Sequence, residues 1–106
     1  MRTLRFIVDG QIIKRDPCCD FSNLVPGINQ RIQAEFIFSK EWRSAAKVAA
    51  FYSRLGAEYE PQALNDGRTC IIPAEALMRR LFKIQILGTN GLVTNKVEVK
   101  QEGGQT

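Results

Sequence analysis

Histidine is absent from the 106-residue chain. With it go the usual metal ligand, the general base poised near neutral pH, and the side chain that most often switches charge there. Cysteine is scarce: Cys18, Cys19 and Cys70. An odd count with an adjacent pair makes a poor disulfide framework, because neighbouring cysteines close a ring only with strain. The spacing lacks the C-x-x-C pairs of a zinc site, and a thiolate nucleophile would have to rely on Lys or Arg for activation. These thiols read as reduced loop and core groups, as in a protein made in a cytoplasm. No apolar run approaches the 18 or more residues of a membrane-spanning helix. The opening Met1 to Gly10 segment has a charge inside its short apolar stretch, so it is expected to start the fold rather than to act as a secretion signal. No strand–glycine loop–helix pattern for phosphates occurs, since Gly88-Thr89-Asn90-Gly91 has hairpin spacing.

What is present is a globular composition, 44% hydrophobic and 25% charged. At this length one domain is expected, over 1–101, burying roughly 65% of the unfolded surface, followed by a flexible polar tail over 102–106. Fifteen Lys and Arg against eleven Asp and Glu leave a net charge of +4, spread along the chain rather than gathered in a stripe. The carboxylates fall mostly in turns or on outward strand positions, where no cleft is marked for paired acid–base work. No enzymatic activity, cofactor or metal is expected.

Period-two alternation dominates the chain. Leu4, Phe6 and Val8 share one face, Asp9-Gly10 supplies a two-residue turn, and Gln11 to Arg15 returns as the second arm of a hairpin. Asp16 to Asn29 carries turn chemistry, with one short extended piece expected around Phe21 to Val25. Ile32, Ala34, Phe36 and Phe38 mark a half-buried strand. Ser39 to Leu55 is ambiguous. Four alanines favour a helix by propensity, whereas Val48, Ala50 and Tyr52 would share one side of a strand. Gly56 to Glu60 reads as a short strand, Asn65-Asp66-Gly67 as a turn, and Thr69 to Ile72 as a strand halted by Pro73. A short helical turn follows near 74–79. Leu81 to Leu87 is a strand with Phe82, Ile84 and Ile86 inward. Beyond the Asn90-Gly91 turn, one last strand is expected from Val93 to Lys100, with Val93, Asn95, Val97 and Val99 on one face. About seven strands separated by frequent turns predict an all-β, antiparallel sandwich.

Three candidate contact features stand out. Trp42, the only tryptophan, is either an interface anchor or a core filler. Arg79 and Arg80 with Lys83 could pair phosphates, or could simply be a solvated edge that discourages foreign strands. The Asp16 to Gln30 loop and the Trp42 to Ala45 turn, which includes Arg43, are loop surfaces of the kind through which sandwiches bind partners.

Several segments, in order, resemble the immunoglobulin-like module at the N-terminus of baseplate upper proteins in phages and prophages of Gram-positive bacteria. Phe36-Ile37-Phe38-Ser39-Lys40-Glu41-Trp42 is similar to the family's F-x-F-S-x-x-W. Lys47 to Phe51, Thr69 to Leu77, a strand ending in Gly88, and Thr94 to Val97 then follow in the family's order. The resemblance spans about residues 3 to 101. It implies an immunoglobulin-like sandwich serving tail or baseplate assembly by protein–protein contact, without enzymatic activity. It implies other phage structural proteins as partners, with self-association compatible. It places the protein in the host bacterial cytoplasm during assembly and then in the virion tail. It also turns Lys47 to Arg54 from helix to strand. The chain departs from the family at Arg43-Ser44-Ala45-Ala46, where a glycine-containing turn is usual. It also lacks the larger C-terminal part of baseplate proteins within these residues, so a free-standing member or one separated from that part is expected. The alternative is a small phage-encoded inhibitor of a host or defence protein; the net positive charge argues against a DNA mimic. Nucleic-acid binding through Arg79, Arg80 and Lys83 is a weaker third reading.

Overall fold

The computed structural model describes residues 1–27 and 31–102. Among them the chain forms eight strands: β1 (Arg2–Asp9), β2 (Ile12–Arg15), β3 (Ile32–Phe38), β4 (Lys47–Ser53), β5 (Gln62–Ala63), β6 (Thr69–Ile71), β7 (Leu81–Gly88) and β8 (Val97–Lys100). A 3₁₀ turn over Lys40–Trp42 and one helical turn, α1 (Ala74–Leu77), complete the elements. Two four-stranded sheets, β2-β1-β3-β6 and β5-β4-β7-β8, face each other as an all-β sandwich. The chain crosses between sheets after β3, β5 and β6. The pairs β3–β6 and β4–β7–β8 stand in the neighbour relations that B–E and C–F–G have in immunoglobulin-type sandwiches.

Alternation builds the core. Leu4, Phe6 and Val8 of β1, Ile32, Ala34 and Phe36 of β3, and Phe82, Ile84 and Ile86 of β7 are all buried, while their neighbours in sequence face outward or lie half-buried. Phe6 stacks on Phe36 with ring centroids 5.5 Å apart. Phe38 and Val97 are only partly buried and pack against the edge of this cluster.

The expectation of uniformly antiparallel pairing is corrected at β1. It lies parallel to β3, with Leu4 opposite Ala34 and Phe6 opposite Phe36. The connection after β2 carries the chain back to the start of β1, so β3 sets out in the same direction. Arg2 fastens this return by donating from Nη2 to the carbonyls of Asp20 (2.9 Å) and Ser22 (2.6 Å). Asp16 ends the hairpin with an Asx turn, its Oδ1 accepting from the Cys18 N–H at 2.9 Å. The parallel register also sets Arg5 beside Glu35 on the outer face, Nε to Oε1 3.2 Å, with Asp16 3.5 Å from Arg5 Nη1. The piece expected to be extended, Phe21 to Val25, forms no ladder. It is a plug that inserts Leu24 into the core, with the Glu102 carboxylate accepting from the Asn23 N–H at 2.7 Å. Glu102 is therefore anchored, and the rest of the expected 102–106 tail lies outside the described residues, as do positions 28–30 of the Asp16 to Gln30 loop.

Four further expectations shift. The β1–β2 turn is Gly10-Gln11, one residue later than Asp9-Gly10, because Asp9 already pairs with Ile12. Gly10 takes the positive φ, +59°, which a turn with glycine at its first central position needs. Gly56 to Glu60 follows a tight turn, Ser53 to Gly56, and makes a single bridge, Tyr52 to Glu58, instead of a strand. The ladder resumes as β5 only beyond Pro61, which has no N–H to give, and the register slips by one residue across it as in a bulge. The long final strand also breaks: Val93 makes one bridge to Leu87, 94–96 bulge, and β8 starts at Val97. The bulge turns Thr94 inward instead of Val93. Thr94 Oγ1 accepts from the buried Ile86 N–H at 2.9 Å and donates to the Asn95 carbonyl at 2.7 Å. Asn95 is thrown outward to the edge of the opposite sheet. Its side chain accepts from the Ile13 N–H (2.7 Å) and donates to the Ile13 carbonyl (3.2 Å), while its own N–H reaches the Gln11 carbonyl. One asparagine thus closes the β2 edge that would otherwise be open to a foreign strand.

Candidate functional site

The five contact candidates do not form one surface. Of the two readings of Trp42, the structure takes the core filler and rules out the contact residue, at 0% exposure. The 3₁₀ turn that begins after Ser39 swings its indole between the sheets. There Nε1 donates to the Gly10 carbonyl at 2.7 Å and the ring lies 5.5 Å from Phe38. Arg43, one residue later, is exposed and borders an open hollow of about 760 Å³. That hollow mixes Lys40, Arg43, Lys47 and Arg68 with Glu35 and Asp66. Lys47 is occupied there, donating to the Ala45 carbonyl at 2.9 Å and lying 5.0 Å from the Phe38 ring centroid. Two carboxylates among four cations compensate the charge of this hollow in part.

Arg79 and Arg80 sit at the opposite end. β7 separates them from the Trp42 end by roughly 23 Å of strand at the usual rise. They border a second open hollow of about 880 Å³, where the turn after β4, the bend between α1 and β7, and the end of β8 converge. Lys83 is not part of it. Lys83 is half-buried on β7, opposite Tyr52 and Glu98 in the register, and so does not extend the arginine pair into a phosphate-tracking stripe. The residues that the sequence reading missed here are Arg54, Leu55, Met78, Lys100 and Gln101. Leu55 carried a signal, being a large apolar residue beside glycine in a turn, where burial is hard to arrange. It is 94% exposed, and Met78 is 52% exposed.

Gln101 builds this end. It is 4% exposed, and its Nε2 donates to the carbonyls of Leu77 (2.8 Å) and Arg79 (2.7 Å), on either side of Met78. Its backbone N–H reaches the Arg80 carbonyl at 2.6 Å. The bend presenting Met78, Arg79 and Arg80 is thereby tied to the sheet. Donation to two carbonyls also orients the amide, leaving Oε1 as a buried acceptor without a partner among the described residues.

The ionisable groups with resolved shifts lie elsewhere. The Ser22 hydroxyl and N–H hold the Asp20 carboxyl below its ordinary range. The Ser39 hydroxyl, and then the backbone N–H of Glu41 itself, do the same for Glu41. Among the described residues, no three His, Cys, Asp or Glu side chains are grouped so as to hold a metal ion.

The cysteines are separate. Cys18 is exposed, Cys19 half-buried with its Sγ accepting from the Arg5 N–H at 3.3 Å, and Cys70 buried on β6. Burial pushes the Cys70 thiol up to about 12, from an ordinary 9.0. Iodoacetamide at mildly alkaline pH is expected to modify Cys18 in the folded protein and to spare Cys70 until denaturant is added. Mass mapping that finds Cys70 alkylated as fast as Cys18 in the native state would refute this placement. The raised thiol also predicts alkaline loss of stability. Its contribution is complete below about 9, where the unfolded thiol is still protonated, and fades as pH climbs toward 12.

No protein-family model, curated protein or solved structure matches the chain, so the reading of its function rests on the residues and their arrangement.

Proposed function

We propose that the chain is a phage or prophage structural protein, an assembly or attachment module of the tail or baseplate that acts by protein–protein contact and catalyses no reaction. The observation carrying this reading is that two of the segments of the family resemblance, Phe36 to Trp42 and the strand ending in Gly88, meet in space. Phe36, Phe38 and Trp42 form a continuous ring series, with centroids 6.1 and 5.5 Å apart. Gly88, which closes another of those segments, lies so close that an added Cβ would be 2.9 Å from the indole. Residues far apart in the chain thus make one joint between the end of β3 and the end of β7. A sandwich of this kind meets partners through its ends and edges, and the basic hollow around Arg79 and Arg80 has no carboxylate among its described lining residues.

Mass spectrometry of purified virions tests this reading. The chain is expected in intact particles, in fixed ratio to tail proteins. Its absence from them, together with a stoichiometric host partner in a pull-down, would replace the structural role by that of a phage-encoded inhibitor.

A further inference from the structure

We propose that the hollow between the β4 turn, the α1–β7 bend and the end of β8 docks an acidic protein segment that carries an apolar side chain. Arg54, Arg79, Arg80 and Lys100 surround it, and no carboxylate lines it among the described residues. Four cations brought together this way repel one another, and an anionic partner relieves that. Leu55 and Met78 face the same space and stay largely exposed. An apolar pair inside a cationic rim has the composition of a protein contact surface, in which Met and Arg are over-represented. Methionine also adapts its shape to whichever side chain arrives.

The same pair argues for protein over nucleic acid. Proteins bind single strands by stacking the bases on flat rings; the one ring lining the hollow, Tyr59, is half-buried against the core, whereas the exposed apolar side chains, Leu55 and Met78, carry no ring. Lys83, which would lengthen a phosphate track, stands outside the hollow. Gln101 holds the backbone of the Met78 bend in place through two carbonyls before any partner arrives, so binding need order only the side chains there. The Arg43 hollow lacks this character, because Glu35 and Asp66 already sit among its cations.

This inference deepens the reading of the chain as a contact module and rests on it, but the two fail separately. Virion analysis decides the first, and peptide binding decides the second. Fluorescence anisotropy with a labelled short peptide alternating Glu and Leu should show saturable binding to the full chain. The Arg79→Glu/Arg80→Glu variant should weaken it about tenfold or more, and Leu55→Asp, at a site too exposed to threaten folding, by a similar factor. Arg43→Glu at the far end should leave it unchanged, and a Glu/Ser peptide of the same length should bind at least about tenfold more weakly. The proposal is overturned by absence of saturable binding, by equal affinity for the Glu/Ser peptide, or by variants at 79/80 or 55 that bind like the parent. A single-stranded oligonucleotide that binds more tightly through the same arginines would also overturn it, in favour of nucleic acid.

Discussion

Trp42→Ala is expected to lower the free energy of unfolding by about 3–5 kcal/mol, the usual cost of removing a large buried aromatic. The indole is wholly enclosed, packs on Phe38, and gives its N–H to the Gly10 carbonyl in the β1–β2 turn. Its loss opens a cavity where the 3₁₀ turn, the β1–β2 turn and the end of β7 meet. Urea denaturation should show an earlier midpoint with an unchanged slope. A shift below 1 kcal/mol would mean that the indole is not the plug of this end. The reverse change, Gly88→Ala, tests the same joint from the other side. Its Cβ would meet the Asn90 side chain at 2.6 Å and the indole at 2.9 Å. The asparagine can swing away and the buried ring cannot, so overpacking of about 1–3 kcal/mol is expected.

Thr94→Val is the second large effect expected, about 1–3 kcal/mol despite nearly equal volume. The substitution removes the hydroxyl that accepts from the Ile86 N–H inside the sandwich, and a buried donor left without a partner carries its full desolvation cost. Thr94→Ser keeps the hydroxyl and should lose less. If valine and serine prove equally mild, the hydroxyl is not what anchors the bulge. The neighbouring Asn95→Ala should cost only about 1 kcal/mol, since water can reach the β2 edge it uncovers. Its clearer signature is self-association, because the Ile13 N–H and carbonyl are released as an unpaired edge.

The alternating faces of β1, β3 and β7 could be read directly from residue order, and so could the Pro73 stop and the helical turn behind it. Lys47 to Ser53 shows where local preference yields. Its alanines favour helix, yet Ala49 and Phe51 are buried core residues and the segment pairs with β7 along its whole length. Ladder bonds and burial together outweigh a few tenths of a kcal/mol per residue of helix propensity. The family resemblance reached the strand assignment where propensity did not. The candidate site was half visible: Arg79 and Arg80 stood out as an adjacent pair, but Arg54, Leu55, Met78 and Lys100 are scattered over two connections and the end of β8.

Residue order alone settled which side chains of β1, β3 and β7 go inside, because a strand's period of two admits only two faces and one of them was apolar. It also settled where the chain turns, through Gly10, the Asn65–Gly67 trio and Asn90-Gly91. Tertiary packing decided the rest: the parallel run of β3 beside β1, the bulges at Pro61 and Thr94, the burial of Trp42, and the gathering of four cations around Leu55 and Met78. Each of these depends on groups far apart in the chain, a carbonyl in one turn meeting an indole in another or an asparagine reaching the opposite sheet. Spacing along one strand records its own two faces and nothing of the surface that will come to lie against them.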